Sequence, residues 1–238
     1  MFGGSMQLSK RLSAVASMVS EGNRLVDVGT DHGYLPIYLI EEDRIPTAIA
    51  LDINKGPIER AKEHILAHNL EKHIETRLSD GVAALKTDEG DTLVIAGMGG
   101  GLVIKIMTEG EAILAHFKEF VLQPQSEIEW VRRFLIEHNY HMIEENMVLD
   151  DGKYYPMMKA VKGVGDKNYN KTIFYKYGKG LLESKNEMLE LFLEKELIMY
   201  TNILEKLSVN EKENAQNRIN EIKEEIKYIK EALSYYEM

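Results

Sequence analysis

Arg24-Leu-Val-Asp-Val-Gly29-Thr-Asp-His-Gly-Tyr34-Leu-Pro36 decides how this chain folds. Arg24 to Gly29 reads as a short buried strand, Thr30 to Gly33 as a loop, and Tyr34 to Glu42 as a helix. Pro36 suits that helix's first turn, where its missing N–H would be unpaired in any case. On the N-terminal side, Leu8, Leu12, Val15, Ala16 and Val19 follow helical spacing until Gly22-Asn23 breaks it. On the C-terminal side strands and helices keep alternating. The apolar spacing predicts strands at 47–53, 74–78, 91–96 and 120–123, and helices at 57–69, 82–85, 102–117 and 126–138, the last N-capped by Ser126. Near-continuous apolar strands separated by helices predict an α/β fold, its mostly parallel sheet covered on both faces.

The pattern then changes. Tyr140 to Leu149 and Tyr154 to Val161 are strands joined by Asp150-Asp151-Gly152-Lys153, the composition of a tight turn, which predicts an antiparallel hairpin. Further on, Leu189, Leu193, Leu197, Tyr200, Leu204 and Leu207 repeat at three and four residues, and Ala215, Ile219, Ile222, Ile226, Ile229 and Leu233 do the same. Ser208 to Asn210 separates the stripes, so each is the other's nearest partner in an antiparallel helical hairpin, a coiled coil. The expected division is a first domain at 6–163, a linker at 164–180 and the helical hairpin at 181–238; residues 1–5 carry no structural weight.

Composition removes whole classes of function. The 238 residues are 44% hydrophobic and 29% charged, which supports a buried core. The absence of cysteine excludes disulfide scaffolds, thiolate nucleophiles and sulfur-based metal sites, and points to a cytoplasmic address without a metal. The longest apolar run, Leu93 to Met107, holds four glycines and Lys105 and is too short and broken to cross a bilayer, and no signal peptide is expected around Lys10-Arg11. A net charge of −10 argues against indiscriminate binding of nucleic acid. It leaves room for a local basic face: Lys153, Lys159, Lys162, Lys167, Lys171, Lys176 and Lys179 are opposed only by Asp166 between Gly152 and Gly180. A solvated lysine-rich surface is the plain reading of that run.

Three strand ends carry the chemistry. Asp27 to Tyr34 places glycines where a ligand can approach the backbone at the carboxyl edge of the sheet. Asp52 ends the second strand, where a carboxylate can accept both hydroxyls of a ribose. Ser79-Asp80-Gly81 ends the third and can meet an adenine's exocyclic amine. Singly, Asp27, Asp52 and Asp80 could each be caps or turn formers; their joint placement is the signal. An adenosine cofactor follows, either a dinucleotide or S-adenosylmethionine. Three details favour the second. Asp31 occupies the position of the second glycine in a dinucleotide fingerprint, where it would face a pyrophosphate. Asp27 and Asp31 suit an ammonium and a sulfonium. A terminal antiparallel hairpin after five helix-alternated strands is the topology of class I methyltransferases. After the fourth strand, Ala96 to Gly101 lacks the Asn/Asp-Pro-Pro-aromatic tetrad of many amino-methyltransferases; its glycines leave room for a flat base, or serve close helix–strand packing.

Leu8-Ser-Lys-Arg-Leu12, Asp27 to Pro36, Val94-Ile-Ala-Gly-Met-Gly-Gly100, Leu122-Gln-Pro124, Tyr154-Tyr155 and Tyr177-Gly178 closely resemble the bacterial tRNA (adenine-N1)-methyltransferase family TrmK, over nearly the whole chain. The resemblance implies a Rossmann-like class I fold with a C-terminal helical appendage, methylating N1 of adenine 22 in tRNA with S-adenosylmethionine. Carried over by position, the cofactor residues are Asp27, Gly29, Asp31, His32, Gly33, Asp52, Ile53, Asp80, Gly81 and Gly97. Lys179 stands where the family leads one to expect proline.

The sulfonium is already an activated donor and adenine N1 has a free lone pair, so positioning supplies much of the acceleration. The base becomes cationic, which makes Asp31 the candidate stabiliser and His32 a candidate proton acceptor or hydrogen-bond partner; both have a plain alternative as cofactor contacts. N1 lies on the Watson–Crick edge, so the base must be exposed, with Tyr34 and Met98 as candidate walls. Lys10, Arg11, Arg132, Arg133 and the lysine run are candidate phosphate contacts. A monomer is favoured, with homodimerisation through the C-terminal helices as the alternative. The rival functions are a small-molecule methyltransferase, a nucleotide-binding protein without turnover, and a nicotinamide oxidoreductase.

Overall fold

A computed structural model describes residues 6–163, 166, 168–208 and 215–237. The chain divides into two compact units, Met1–Asp166 and Lys167–Met238.

In the first unit the element order is α1 (Lys10–Met18), β1 (Leu25–Val28), α2 (Tyr34–Glu41), β2 (Ala48–Asp52), α3 (Lys55–Ala67), β3 (Ile74–Leu78), β4 (Thr92–Gly99), α4 (Gly100–Glu109), α5 (Glu111–Leu114), β5 (Glu119–Ser126), α6 (Ile128–Glu137), β6 (Tyr140–Asp150) and β7 (Lys153–Lys162). The strands form one sheet in the order β3-β2-β1-β4-β5-β7-β6. β1 to β5 are mutually parallel, and β7 runs antiparallel between β5 and β6. Asp151 (φ 45°) and Gly152 (φ 74°) turn the hairpin, both in the left-handed region that a two-residue turn of this hand requires.

Period-two alternation sends successive side chains to opposite faces. Val26, Leu51, Leu93, Ile95, Phe120 and Leu122 meet α4 and α6 on one side. Leu25, Ala48, Ala50, Val94 and Val121 meet α1, α2 and α3 on the other. Leu93, Val94 and Ile95 are fully buried, each stabilising the fold by roughly 1.5–3 kcal/mol. The same alternation puts Asp27, Ala96 and Gln123, on three adjacent strands, on the α1–α3 side near the carboxyl edge. α1 begins where Ser9 Oγ accepts the Leu12 N–H (3.2 Å).

Three local expectations are corrected. Residues 81–84 form turns and not a helix, with Ser79 Oγ accepting the Ala84 N–H (3.0 Å) across them. The 102–117 helix is two helices parted at Gly110, where a Cβ would press on Val82 and the Ile106 carbonyl. Ser126 pairs with Gly99 as the last residue of β5, and Glu127, in the left-handed region (φ 51°), takes the cap position of α6.

The second unit holds α7 (Thr172–Tyr177), α8 (Lys179–Glu183), α9 (Glu187–Ser208) and α10 (Ala215–Leu233). Much of the stretch read as linker is therefore helical, with Ile173, Phe174 and Tyr177 buried. Lys179 opens α8, the first-turn position in which a proline would also be at home. The two leucine/isoleucine stripes face each other as a helical hairpin, with Leu189, Leu193, Ile222 and Ile229 buried and the Tyr236 hydroxyl donating to the Asn186 carbonyl (3.0 Å). The connection expected at Ser208 to Asn210 falls at 209–214, outside the described residues. Among the described residues no helix is long and apolar enough to cross a membrane.

Candidate active site

Asp27 is the third residue of β1 and is 5% exposed. Burial pushes its pKa up to about 6; the Thr30 hydroxyl opposes the shift and the Asp52 carboxylate reinforces it. The chain then turns sharply through Gly29 (φ 78°), Asp31 (φ 51°) and Gly33 (φ 72°), with the Gly29 and Thr30 N–H groups both donating to the Leu51 carbonyl (2.8 and 3.0 Å). A Cβ at Gly29 would meet only the flexible tip of Met98, so it is the left-handed dihedral that calls for glycine.

The Asp31 carboxylate accepts from Arg60 Nη2 (3.0 Å) and lies 3.5 Å from His32 Nε2. The rings of His32, Tyr34 and His64 stack at centroid distances of 5.0 to 5.5 Å, and His64 Nδ1 is 2.9 Å from the His32 carbonyl. Arg60 and His64 escaped the sequence reading. Their spacing, four residues apart on one face of α3, was the available signal.

Among the described residues His32 Nδ1 is buried without a hydrogen-bond partner, and the buried Thr30 hydroxyl has only the Asp27 carboxyl to act on. A buried polar atom rarely stays unpaired, and both residues belong to the loop that walls a cavity of about 230 Å³. Arg11, Asp27, Gly29, Asp31, His32, Tyr34 and Ala96 are among its lining residues. Two larger hollows, of about 380 and 490 Å³, share none of these residues. The cavity thus offers a buried acid, a second acid, an unpaired ring nitrogen and a glycine cradle, which fits an adenosine cofactor bearing cationic groups.

The remaining predicted residues lie outside that lining. Asp52 ends β2, its Oδ1 accepting the Asn54 N–H (2.8 Å), and the neighbouring Ile53 is 58% exposed. Asp80 is exposed, 3.9 Å from Lys105, beside Gly81 (φ 55°). Gly97 (φ 81°) sits in a bulge of β4 and donates its N–H to Gln123 Oε1 (3.1 Å). Gly33 caps α2, Lys10 is exposed on α1, and Met98 packs over Gly29. Gly100 is a packing glycine: a Cβ there would lie 2.5 Å from the Ser126 carbonyl oxygen.

Two electrostatic expectations fail. Arg132 is 1% exposed and pairs with Glu145 (2.8 Å), so it cannot reach a phosphate, and Arg133 is paired with Glu129 (2.8 Å). The lysine run is no single basic surface. Lys159 is buried against Glu119 (3.0 Å), Lys176 pairs with Glu225 (2.8 Å), and Lys167 lies outside the described residues.

With this geometry in place, comparison with known proteins is specific. Residues 25–231 match the family model described as TrmK: tRNA (adenine(22)-N(1))-methyltransferase. The tRNA (adenine(22)-N(1))-methyltransferase of Bacillus subtilis is 31% identical over 234 residues, 97% of this chain and 98% of that protein. A Streptococcus pneumoniae protein in complex with S-adenosyl-L-methionine superposes with a TM-score of 0.85 at 32% identity, covering 95% of this chain and 100% of that one. Mycoplasma capricolum TrmK in complex with S-adenosyl-homocysteine superposes at 0.78 with 28% identity, covering 93% and 99%.

Proposed function

This chain belongs to the TrmK family of tRNA (adenine(22)-N(1))-methyltransferases, and from that premise we propose which of its residues carry the methyl transfer. The protein is an S-adenosylmethionine-dependent enzyme whose substrate is N1 of adenine 22 in tRNA. When bound, the cofactor supplies a methyl group already activated on a sulfonium, so the protein is asked for no metal and no covalent intermediate.

Asp27, Gly29, Gly33, Asp52, Ile53, Asp80, Gly81 and Gly97 hold the cofactor at the ends of β1 to β4. Asp27 is the partner for its ammonium, because a buried carboxyl needs a cation to ionise cheaply. Asp31 is the residue that stabilises positive charge developing on the methylated base, and the neighbouring His32, its Nε2 3.5 Å from the Asp31 carboxylate, is the candidate hydrogen-bond partner of the base. Tyr34, stacked on His32 and His64, and Met98 wall the flipped base. Lys10 meets a tRNA phosphate. Catalysis belongs to residues 6–163, and the helices at 181–238 together with the segment before them serve tRNA recognition in a monomeric, cytoplasmic enzyme.

The observation that carries this reading is the convergence of Asp27, Asp31, the Thr30 hydroxyl and the unpaired His32 Nδ1 on one cavity. Asp31→Asn tests it. Loss of one preorganised charge contact made in the transition state should lower kcat by roughly 100-fold. Affinity for S-adenosylhomocysteine should fall much less. Single-turnover methylation of unmodified tRNA separates the two effects, and an unchanged rate would remove Asp31 from the mechanism.

A further inference from the structure

We infer that Trp130 is a stacking platform for an unpaired tRNA base close to adenine 22. This rests on the reading that adenine 22 is presented at the carboxyl edge of the sheet. Along that edge Tyr34, Ile53, Leu78, Leu102 and Trp130 are large apolar side chains left exposed. Tyr34, Ile53 and Leu78 belong to the ends of β1, β2 and β3, the half of the edge assigned mainly to the cofactor. Leu102 and Trp130 lie beyond Gly97, the last residue of that assignment. Each is the third residue of its helix, α4 and α6 respectively. The two helix starts abut: Gly99 pairs with Ser126, and the Gly101 N–H donates to Glu127 Oε2 (3.0 Å).

Trp130 is the chain's only tryptophan, and it is 60% exposed. Its indole N–H meets no acceptor among the described residues, although an indole packed into a fold usually finds one. The ring is nonetheless held. The Arg133 guanidinium carbon lies 5.8 Å from its centroid, and Arg133 is itself clamped by Glu129 (2.8 Å). A ring fixed before RNA arrives loses little rotamer freedom on stacking. Glu127 and Glu129, the acids beside it in the chain, are turned to the α4 backbone and to Arg133. A protein of net charge −10 gains little from its overall field when it meets RNA. Stacking escapes that constraint, because every base has a π-face and the contact needs no charge. A flipped adenine also leaves its neighbours with an uncovered face, which a ring at the rim of the site can take.

With no second tryptophan in the full chain, selective excitation of indole reads this one side chain. Acrylamide should quench the free protein as it quenches an exposed indole, and saturating unmodified tRNA should remove most of that access. Anisotropy of labelled tRNA, followed in parallel, shows when the complex is saturated. Trp130→Ala should raise KM for tRNA roughly 5- to 100-fold with kcat unchanged, and Trp130→Phe should restore most of the loss. Affinity for S-adenosylhomocysteine should stay at the wild-type value in both variants. Unchanged quenching in the saturated complex overturns the inference, as does a wild-type KM in Trp130→Ala. Protection that grows with the concentration of the free protein assigns the face to a second copy of the chain, and overturns it too. If Trp130→Ala does not fold, quenching of the wild-type protein decides alone. Failure to bind tRNA at all is a different result: it removes the functional reading, and this inference with it.

Discussion

A carboxyl group stripped of water is a poor anion until a cation arrives. Asp27 is in that position, and its pKa of about 6 against an ordinary 3.8 has a calculable consequence for stability. Below about pH 4 the group is protonated in folded and unfolded chains alike, and its burial costs little. As pH rises toward 6 the unfolded chain ionises first, and stability is lost through that window. Above 6 the deficit is constant, on the order of 2–3 kcal/mol. Asp27→Asn should therefore melt higher than the wild type at pH 7.5 without ligand, with the difference shrinking as pH falls from 6 to 4. The same variant should lose most of its affinity for S-adenosylhomocysteine. Thermal melts across that range check the first statement and calorimetry the second; a variant less stable than wild type at pH 7.5 contradicts the account. Asp27 was visible in the sequence because it is the one charged residue inside an apolar strand, two residues before the glycine turn. Arg60, which accompanies Asp31, was not, because a charged amphipathic helix does not announce which of its cations faces a loop 29 residues earlier.

Among the elements, those with a strong period were read correctly and those decided by one tertiary contact were not. β1, β2 and β4 are apolar runs buried on both faces, and the Asp151-Gly152 turn has the composition its dihedrals demand. α6 shows the other case. Ser126 has the chemistry of an N-cap, but its backbone is claimed by the sheet register with Gly99, and Glu127 makes the turn. Arg132 reads as a surface cation until β6 brings Glu145 against it, with side chains 1% and 2% exposed. Breaking such a pair takes the carboxylate from a buried guanidinium, so Glu145→Ala should destabilise the protein by roughly 3–5 kcal/mol in urea titrations. A change within about 0.5 kcal/mol, the level of an ordinary surface substitution, would show that the pair is solvated and return Arg132 to the tRNA-binding candidates.

The molecule as a whole divides between the two units bounded at Asp166. The site residues all belong to the first, and among the described residues none that lines the cavity comes from the second. A chain ending at Asp166 should thus bind S-adenosylhomocysteine with the affinity of the full chain, while its affinity for tRNA falls at least roughly tenfold, as expected when one of two contact surfaces is removed. Equal loss of both would mean that the second unit supports the fold of the first. The period of the leucine and isoleucine stripes gave away the helical hairpin, but α7 and α8 are too short for a period to emerge from a glycine-rich, polar stretch. The lysine run misled for a related reason. Charge counted along the chain ignores that Lys159 alternates into the sheet interior and finds Glu119 there. The most direct test of the central claim is nucleoside mapping of unmodified tRNA after incubation with the purified protein and labelled S-adenosylmethionine. A single product is expected, 1-methyladenosine at position 22, absent when that adenine is replaced; label elsewhere in the tRNA, or none in a correctly folded one, would rule out this activity.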